Sequence, residues 1–293
     1  MMLLAVATLC LTVQESGSTG ISVPENMEIM LTAVSRDESM LHGGIFSSKW
    51  TGSGRVTVEP LAYLTSSGEW SGMPCSSGSG KGCRKFEREY LNKRHIYTVV
   101  SADGKGGVIR ANPTTLDDCF GYTCTGIYSG AVINNSAIAS SSAEPFSDST
   151  ALRPLRKEES VAVRNALAAL VPKRLDSTKE LRLFALQLAG KDMFVVQRAF
   201  QDTVAGRPSS DITVPRREII FLIGILEKGR FRVLHTKGKY TDEDERLLGL
   251  IHLKGGRDFL VTVVHNPESH SFHIYGLRDG HLALIYSGGG SSC

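Results

Sequence analysis

The sequence predicts a mostly β protein of the α+β class, with a small disulfide-stapled β domain followed by an antiparallel β domain carrying one covering helix. Three observations lead there. Apolar residues alternate with a period of two in short runs closed by Gly, Asp, Asn and Pro, the pattern of strands joined by tight turns. One stretch repeats its apolar residues at helical spacing. Cysteines bracket short loops in the first half of the chain.

The clearest strands lie near the C-terminus. From Asp258 to His265, Phe259, Val261 and Val263 fall on one face and Leu260, Thr262 and Val264 on the other. Such a run is apolar enough to be buried on both sides, which predicts a central strand. Asn266-Pro267-Glu268-Ser269 supplies turn residues, and Ser271 to Leu277 returns. Asp279-Gly280 tolerates positive φ, and His281 to Tyr286 closes a second hairpin.

At the other end, Met1 to Val13 is short and apolar and gives way to the small, polar stretch Gln14 to Gly20. This fits a secretory signal peptide over residues 1–18 and a secreted or periplasmic protein. Lipid anchoring through Cys10 is the less favoured outcome, because Leu9 is too large for the small residue normally found before a lipidated Cys. No later run approaches a spanning helix, Ile219 to Leu226 being far too short. The formal charge of +3 is small and its contributors are interspersed, so no long-range field steers the chain to nucleic acid or an anionic membrane.

Residues 19–43 read as a lead-in strand, Met27 to Val34, and a loop. Residues 44–133 form the cysteine-containing β domain. There Arg55 to Leu64 is a strand that Pro60 would place at a sheet edge, and Ser66-Ser67-Gly68 turns it toward Trp70. Phe86, Tyr90 and Leu91 suggest a short helix over Lys85 to Asn92, with strands at His95 to Ser101 and Gly107 to Ala111. Cys75 and Cys83 enclose a Gly/Ser loop, and Cys119 and Cys124 enclose Phe120-Gly121-Tyr122-Thr123. In an oxidising compartment two local bridges, Cys75–Cys83 and Cys119–Cys124, are the simplest framework. A four-cysteine zinc site is disfavoured by the loose spacing, and Cys293 is left for a long-range bridge or a dimer.

Residues 134–152 are Asn, Ala and Ser with isolated Pro and read as a linker. Asn134-Asn135-Ser136 fits a glycosylation sequon. The second domain, residues 153–293, opens with the helix: Pro154 and Glu158-Glu159 near its start, Val163, Leu167 and Leu170 on one face, Pro172 ending it. Leu181 to Leu188 and Met193 to Phe200 make a hairpin, although Glu180 to Ala189 also passes for a helix. Glu218 to Leu226 is a buried strand, and Arg230 to His235 is its partner across Glu227-Lys228-Gly229. This hairpin matches the last one at an offset of 51 residues, Gly229 falling on Gly280 and Val233-Leu234-His235 on Leu284-Ile285-Tyr286, a spacing suited to a repeated multi-strand unit.

Gly255-Gly256-Arg257-Asp258-Phe259-Leu260-Val261, the Ile274-Tyr275-Gly276 strand and the Tyr286-Ser287-Gly288-Gly289-Gly290 ending resemble the FG-GAP or integrin-type repeats of exported β-propeller-like proteins. In that family an Asp-x-Asp-Gly-Asp-Gly loop before the strand binds calcium. Here His252-Leu253-Lys254-Gly255-Gly256 stands in its place and only Asp258 remains of the acidic set, so calcium is not carried over. The residues after the linker are too few for a whole propeller.

Chemistry is less legible than architecture. Six of the eight histidines lie between His235 and His281. His265 and His270 flank one turn, with Glu268 at its tip and His273 on the returning strand, yet no His-Glu-x-x-His pattern turns them into a metal site, and none is expected. No Gly-x-Ser-x-Gly elbow singles out a serine. Gly78-Ser79-Gly80-Lys81-Gly82 lacks the spacing of a phosphate loop. Asp242-Glu243-Asp244-Glu245 reads as a solvated loop or helix start, and the basic residues from Lys81 to Arg94 as a solvated helix face. Strong scaffold signal without a catalytic constellation points to an exported, non-enzymatic binding or structural protein, without cofactor, whose partner is a protein, glycan or cell-surface ligand. The alternative is an exported hydrolase whose site is assembled from residues distant in sequence.

Overall fold

The computed structural model describes residues 27–36, 53–72, 96–101, 106–118, 121–131, 137–141, 153–170, 178–201, 217–237, 244–253, 256–265 and 270–289. Within them the chain is mostly antiparallel β-sheet with a single helix. Seven strands come first: β1 (Met27–Arg36), β2 (Ser53–Thr65), β3 (Trp70–Ser71), β4 (Ile96–Ser101), β5 (Gly106–Asp118), β6 (Gly121–Gly130) and β7 (Ala137–Ser140). They pair in the order β1-β7-β4-β5-β6-β2-β3, and β1 also pairs with β2. Six strands therefore close into a ring, which leaves those strands no free edge. Alternation sorts the side chains: Tyr97, Val99, Ile109, Ala111 and Tyr128 are buried, while Ile96, Val108 and Ile127 between them are exposed. Tyr128, fully buried, donates its hydroxyl to the Ala131 carbonyl at 2.6 Å, so its polar end is satisfied.

Two four-stranded meanders follow. The first runs β8 (Thr178–Leu188), β9 (Lys191–Gln201), β10 (Arg217–Glu227), β11 (Arg230–Lys237), and the second β12 (Asp244–Leu253), β13 (Arg257–His265), β14 (His270–Arg278), β15 (His281–Gly288). Three of their hairpins turn through two residues with positive φ, Ala189-Gly190, Lys228-Gly229 and Asp279-Gly280, the backbone that matches strand twist and in which glycine carries no Cβ penalty.

Helix α1 (Lys157–Leu170) precedes them. Glu159 accepts the Arg156 N–H at its start, the reciprocal half of a capping box, and a bidentate pair with Arg153 fixes it at 2.7 and 2.8 Å. One turn apart, Val163 and Leu167 bury against Ala185, Phe194, Val196 and Leu222. The layers thus run α1, β8–β11, β12–β15, and then the ring. One face of the β12–β15 sheet packs on Leu186, Met193, Val195, Phe221 and Ile223. Its other face packs on Leu61, Ala62, Leu64, Trp70 and Ile138 of the ring sheet. Strand β13 lies between both cores, with Phe259 to Val264 all buried, as its two apolar faces predict.

Two expectations change, and one alternative is decided for the hairpin. Inside the stretch read as a linker, Ala137–Ser140 is a strand with all four residues buried; it sits between β1 and β4, where small side chains suit a crowded interior. Pro60 is not on an edge strand, because β2 is paired on both sides. It lies between the stretch paired with β6, Ser53–Val58, and the one paired with β3, Tyr63–Leu64, and opposite Thr32 of β1 beside a register shift, the irregular setting in which a strand accommodates proline. Glu180 to Ala189 belongs to strand β8 and its turn, not to a helix. The proposed leader, the Lys85–Asn92 helix and the Lys81–Arg94 basic cluster lie outside the described residues.

Candidate functional site

Among the described residues, histidines and carboxylates meet at three places on the β12–β15 sheet, and each involves a contact that reaches beyond one hairpin. The densest surrounds Glu245, the second residue of β12. Its side chain is wholly buried. The Thr262 hydroxyl donates to Oε1 at 2.7 Å and the Tyr275 hydroxyl donates to the same oxygen at 2.9 Å. His235 of β11 meets Oε2 through Nε2 at 3.2 Å, and His273 Nδ1 lies 3.6 Å from Oε1 and 3.0 Å from the Tyr275 oxygen. Rings pack around this hub, His235 against Tyr275 at 5.0 Å and against Phe221 at 6.0 Å.

Burial works to raise the Glu245 carboxyl, but the His235 ring, the nearby His273 ring and the Thr262 hydrogen bond outweigh it and hold the group well below the usual carboxylate range. For Tyr275, burial and the neighbouring Glu245 charge act together and push the hydroxyl far above its ordinary value. The result is a buried anion with both oxygens occupied, which serves as an acceptor hub rather than as a free base.

The second pair, His252 and Asp258, are cross-strand neighbours on β12 and β13. Asp258 Oδ2 also accepts the Ala189 N–H at 2.6 Å, tying this sheet to the β8–β9 turn. The third joins His270 of β14 to Glu59 of β2 at 2.8 Å, so it crosses to the ring sheet. Beside it the His265 ring lies 5.9 Å from that of His270.

The flanking histidines His265 and His270 therefore do approach each other, as their position around the turn suggests. His273 does not join them: it faces the opposite side of β14, toward Glu245, and Glu268 lies outside the described residues. Among the described residues no group of three or more His, Cys, Asp or Glu is placed to hold a metal ion, and no helix is long and apolar enough to cross a membrane. Cys124 lies on β6 opposite Thr115 and Val58, whereas Cys10, Cys75, Cys83, Cys119 and Cys293 lie outside the described residues.

Sequence reasoning missed Glu245 as a buried group, because four adjacent acids read as solvated. It also missed Glu59, Thr262 and Tyr275 as hydrogen-bonding partners. One signal was present: Thr262 interrupts an otherwise apolar strand buried on both sides, and a buried hydroxyl needs a partner.

No family model, curated protein or solved structure matches the chain.

Proposed function

We propose that the chain is an exported, non-enzymatic binding or structural protein, with a protein, glycan or cell-surface group as its partner. The observation that carries this reading is the occupancy of Glu245. The most elaborate polar constellation in the described residues joins two sheets, and both oxygens of its carboxylate already accept from side chains of β11, β13 and β14. Such a hub fastens layers, and its carboxylate is wholly buried and bonded through both oxygens to side chains of the protein. The apolar segment Met1 to Val13 followed by a polar stretch supports export.

A second reading rests on His273. Its Nδ1 is oriented by Tyr275 and Glu245, the way a general base is oriented in a hydrolase. One experiment separates the two. Purified protein is incubated with chromogenic ester, phosphoester, glycoside and peptide substrates beside Glu245→Gln and His273→Gln. The binding reading expects no turnover that the variants lack. Turnover abolished in both variants, with their melting curves unchanged, overturns it in favour of the hydrolase.

A further inference from the structure

We infer that residues 178–237 and 244–288 are two copies of one four-stranded unit, stacked in series through the same face. The last hairpin of each unit shows the correspondence, whatever the function of the chain. In β10–β11 the pairs run Phe221↔Lys237, Leu222↔Thr236, Ile223↔His235, then after a register shift Gly224↔Val233 to Glu227↔Arg230. In β14–β15 they run Phe272↔Gly288, His273↔Ser287, Ile274↔Tyr286, then after a register shift Tyr275↔Leu284 to Arg278↔His281. Every pair of the second set lies 51 positions after its counterpart, and the bulged residue, Leu234 or Ile285, occupies the same place. The turns agree as well: Lys228 and Asp279 have φ of 50° and 51°, Gly229 and Gly280 of 76° and 78°. Any two hairpins share a glycine turn, but a bulge in the same register is a specific feature of a backbone and is retained within families.

The correspondence extends to all four strands, with one extra residue bulged in β12 between Leu247 and Gly249 where β8 pairs without a shift, and to what each face touches. Toward the next layer, the first unit presents Leu186, Leu188, Met193, Val195, Phe221 and Ile223. The second presents the matching Ile251, Leu253, Phe259, Val261, Phe272 and Ile274 to the ring sheet. On the opposite face, Ala185, Phe194 and Leu226 lie with the α1 core, and their counterparts Leu250, Leu260 and Leu277 receive the first unit. The same side of each unit docks forward, and α1 covers the rear of the first, as capping elements do at the end of a repeat array. Within this frame the Glu245 network is a coordinated departure between copies. Matching the registers of β8–β9 and β12–β13 places Leu181, Val196 and Leu222 of the first unit where the second has Glu245, Thr262 and His273.

Strand exchange tests the inference in the full chain. One chimera replaces Arg230–Lys237 with the eight residues of His281–Gly288 in register, keeping His235 as the partner of Glu245; a second inserts the same residues one position later, which moves the bulge and inverts the faces. The expected result is a cooperative melt within about 10 °C of the parent for the first and none for the second. Two chimeras that both fold overturn the inference, as does a displaced chimera that folds alone. If neither folds, the milder reciprocal exchange Leu234→Ile with Ile285→Leu decides. A shift in Tm below about 5 °C upholds equivalence of the two bulges, and a larger drop overturns it.

Discussion

The two faces of the β12–β15 sheet solve the same docking problem with different chemistry. Toward the ring, the contact is apolar and aromatic, with Trp70 edge-on to Phe259 at 5.6 Å. Its polar bonds are Tyr286 donating to the Leu61 carbonyl, Arg257 donating to the Gly68 carbonyl, and one titratable side-chain pair, His270 with Glu59. Toward β8–β11, an apolar core is continued by the Glu245 network, in which titratable side chains bond to one another. Burial of apolar area is non-directional and indifferent to moderate pH, whereas a buried carboxylate is stable only while its donors are in place. The first junction should therefore fail through loss of packing, and the second through loss of a partner or a proton.

The sharpest break in the comparison is Val261→Asp. Val261 is fully buried on the face toward the ring, and an unpaired carboxylate there is expected to cost about 4 kcal/mol or more and to abolish the cooperative thermal melt. If this variant melted like the parent, the central position of β13 would be wrong.

Glu245→Ala comes next. It leaves Thr262, Tyr275 and His235 without their acceptor inside the interface, a loss of about 3 kcal/mol measurable by denaturant unfolding. The same junction carries the acid sensitivity. The folded chain holds the Glu245 carboxyl below its ordinary value of 4.5, so its contribution is complete above that pH and falls away as the pH drops further. Glu159, held at about 2 by its Arg153 pair against the effect of burial, adds a decline of the same sign at the α1 end. Tm measured from pH 7 down to 2 should therefore fall less steeply in Glu245→Gln than in the parent. Parallel curves would show that Glu245 is not the sensitive group.

At the ring junction the pH effect has the opposite sign. Burial pushes the Tyr286 hydroxyl up to about 12 from 10.0, so its contribution is complete below pH 10.0 and is lost as the pH rises through about 12. Tyr286→Phe should cost about 1 kcal/mol at neutral pH and flatten the alkaline limb of the stability curve.

The smallest effects separate two histidines that look alike in sequence. Placing both at an exposed hairpin end predicts that neither matters, which suits His265, exposed at the end of β13. His270 is only partly exposed and meets Glu59, 211 residues earlier in the chain. Urea titration should therefore find His265→Ala within about 0.5 kcal/mol of the parent and His270→Ala destabilised by about 1 kcal/mol.

Strands and turns are local, and the sequence by itself determined them. Alternation set both faces of β13, Asp279-Gly280 and Lys228-Gly229 set their turns, and the spacing of Val163 and Leu167 set the buried stripe of α1. These follow from backbone geometry and side-chain period, which neighbours in sequence control. Only the tertiary structure decided the rest. Ala137–Ser140 has too little apolar bulk to announce a strand, and it is one because β1 and β4 flank it. Glu245 sits in an acidic run, and it is buried because donors 10, 17 and 30 residues away converge on it. The closing of β1 onto β2 and β7, and the order of the layers, depend likewise on contacts between segments far apart in the chain. The free energy of such contacts belongs to the pair, so neither partner's local sequence carries it.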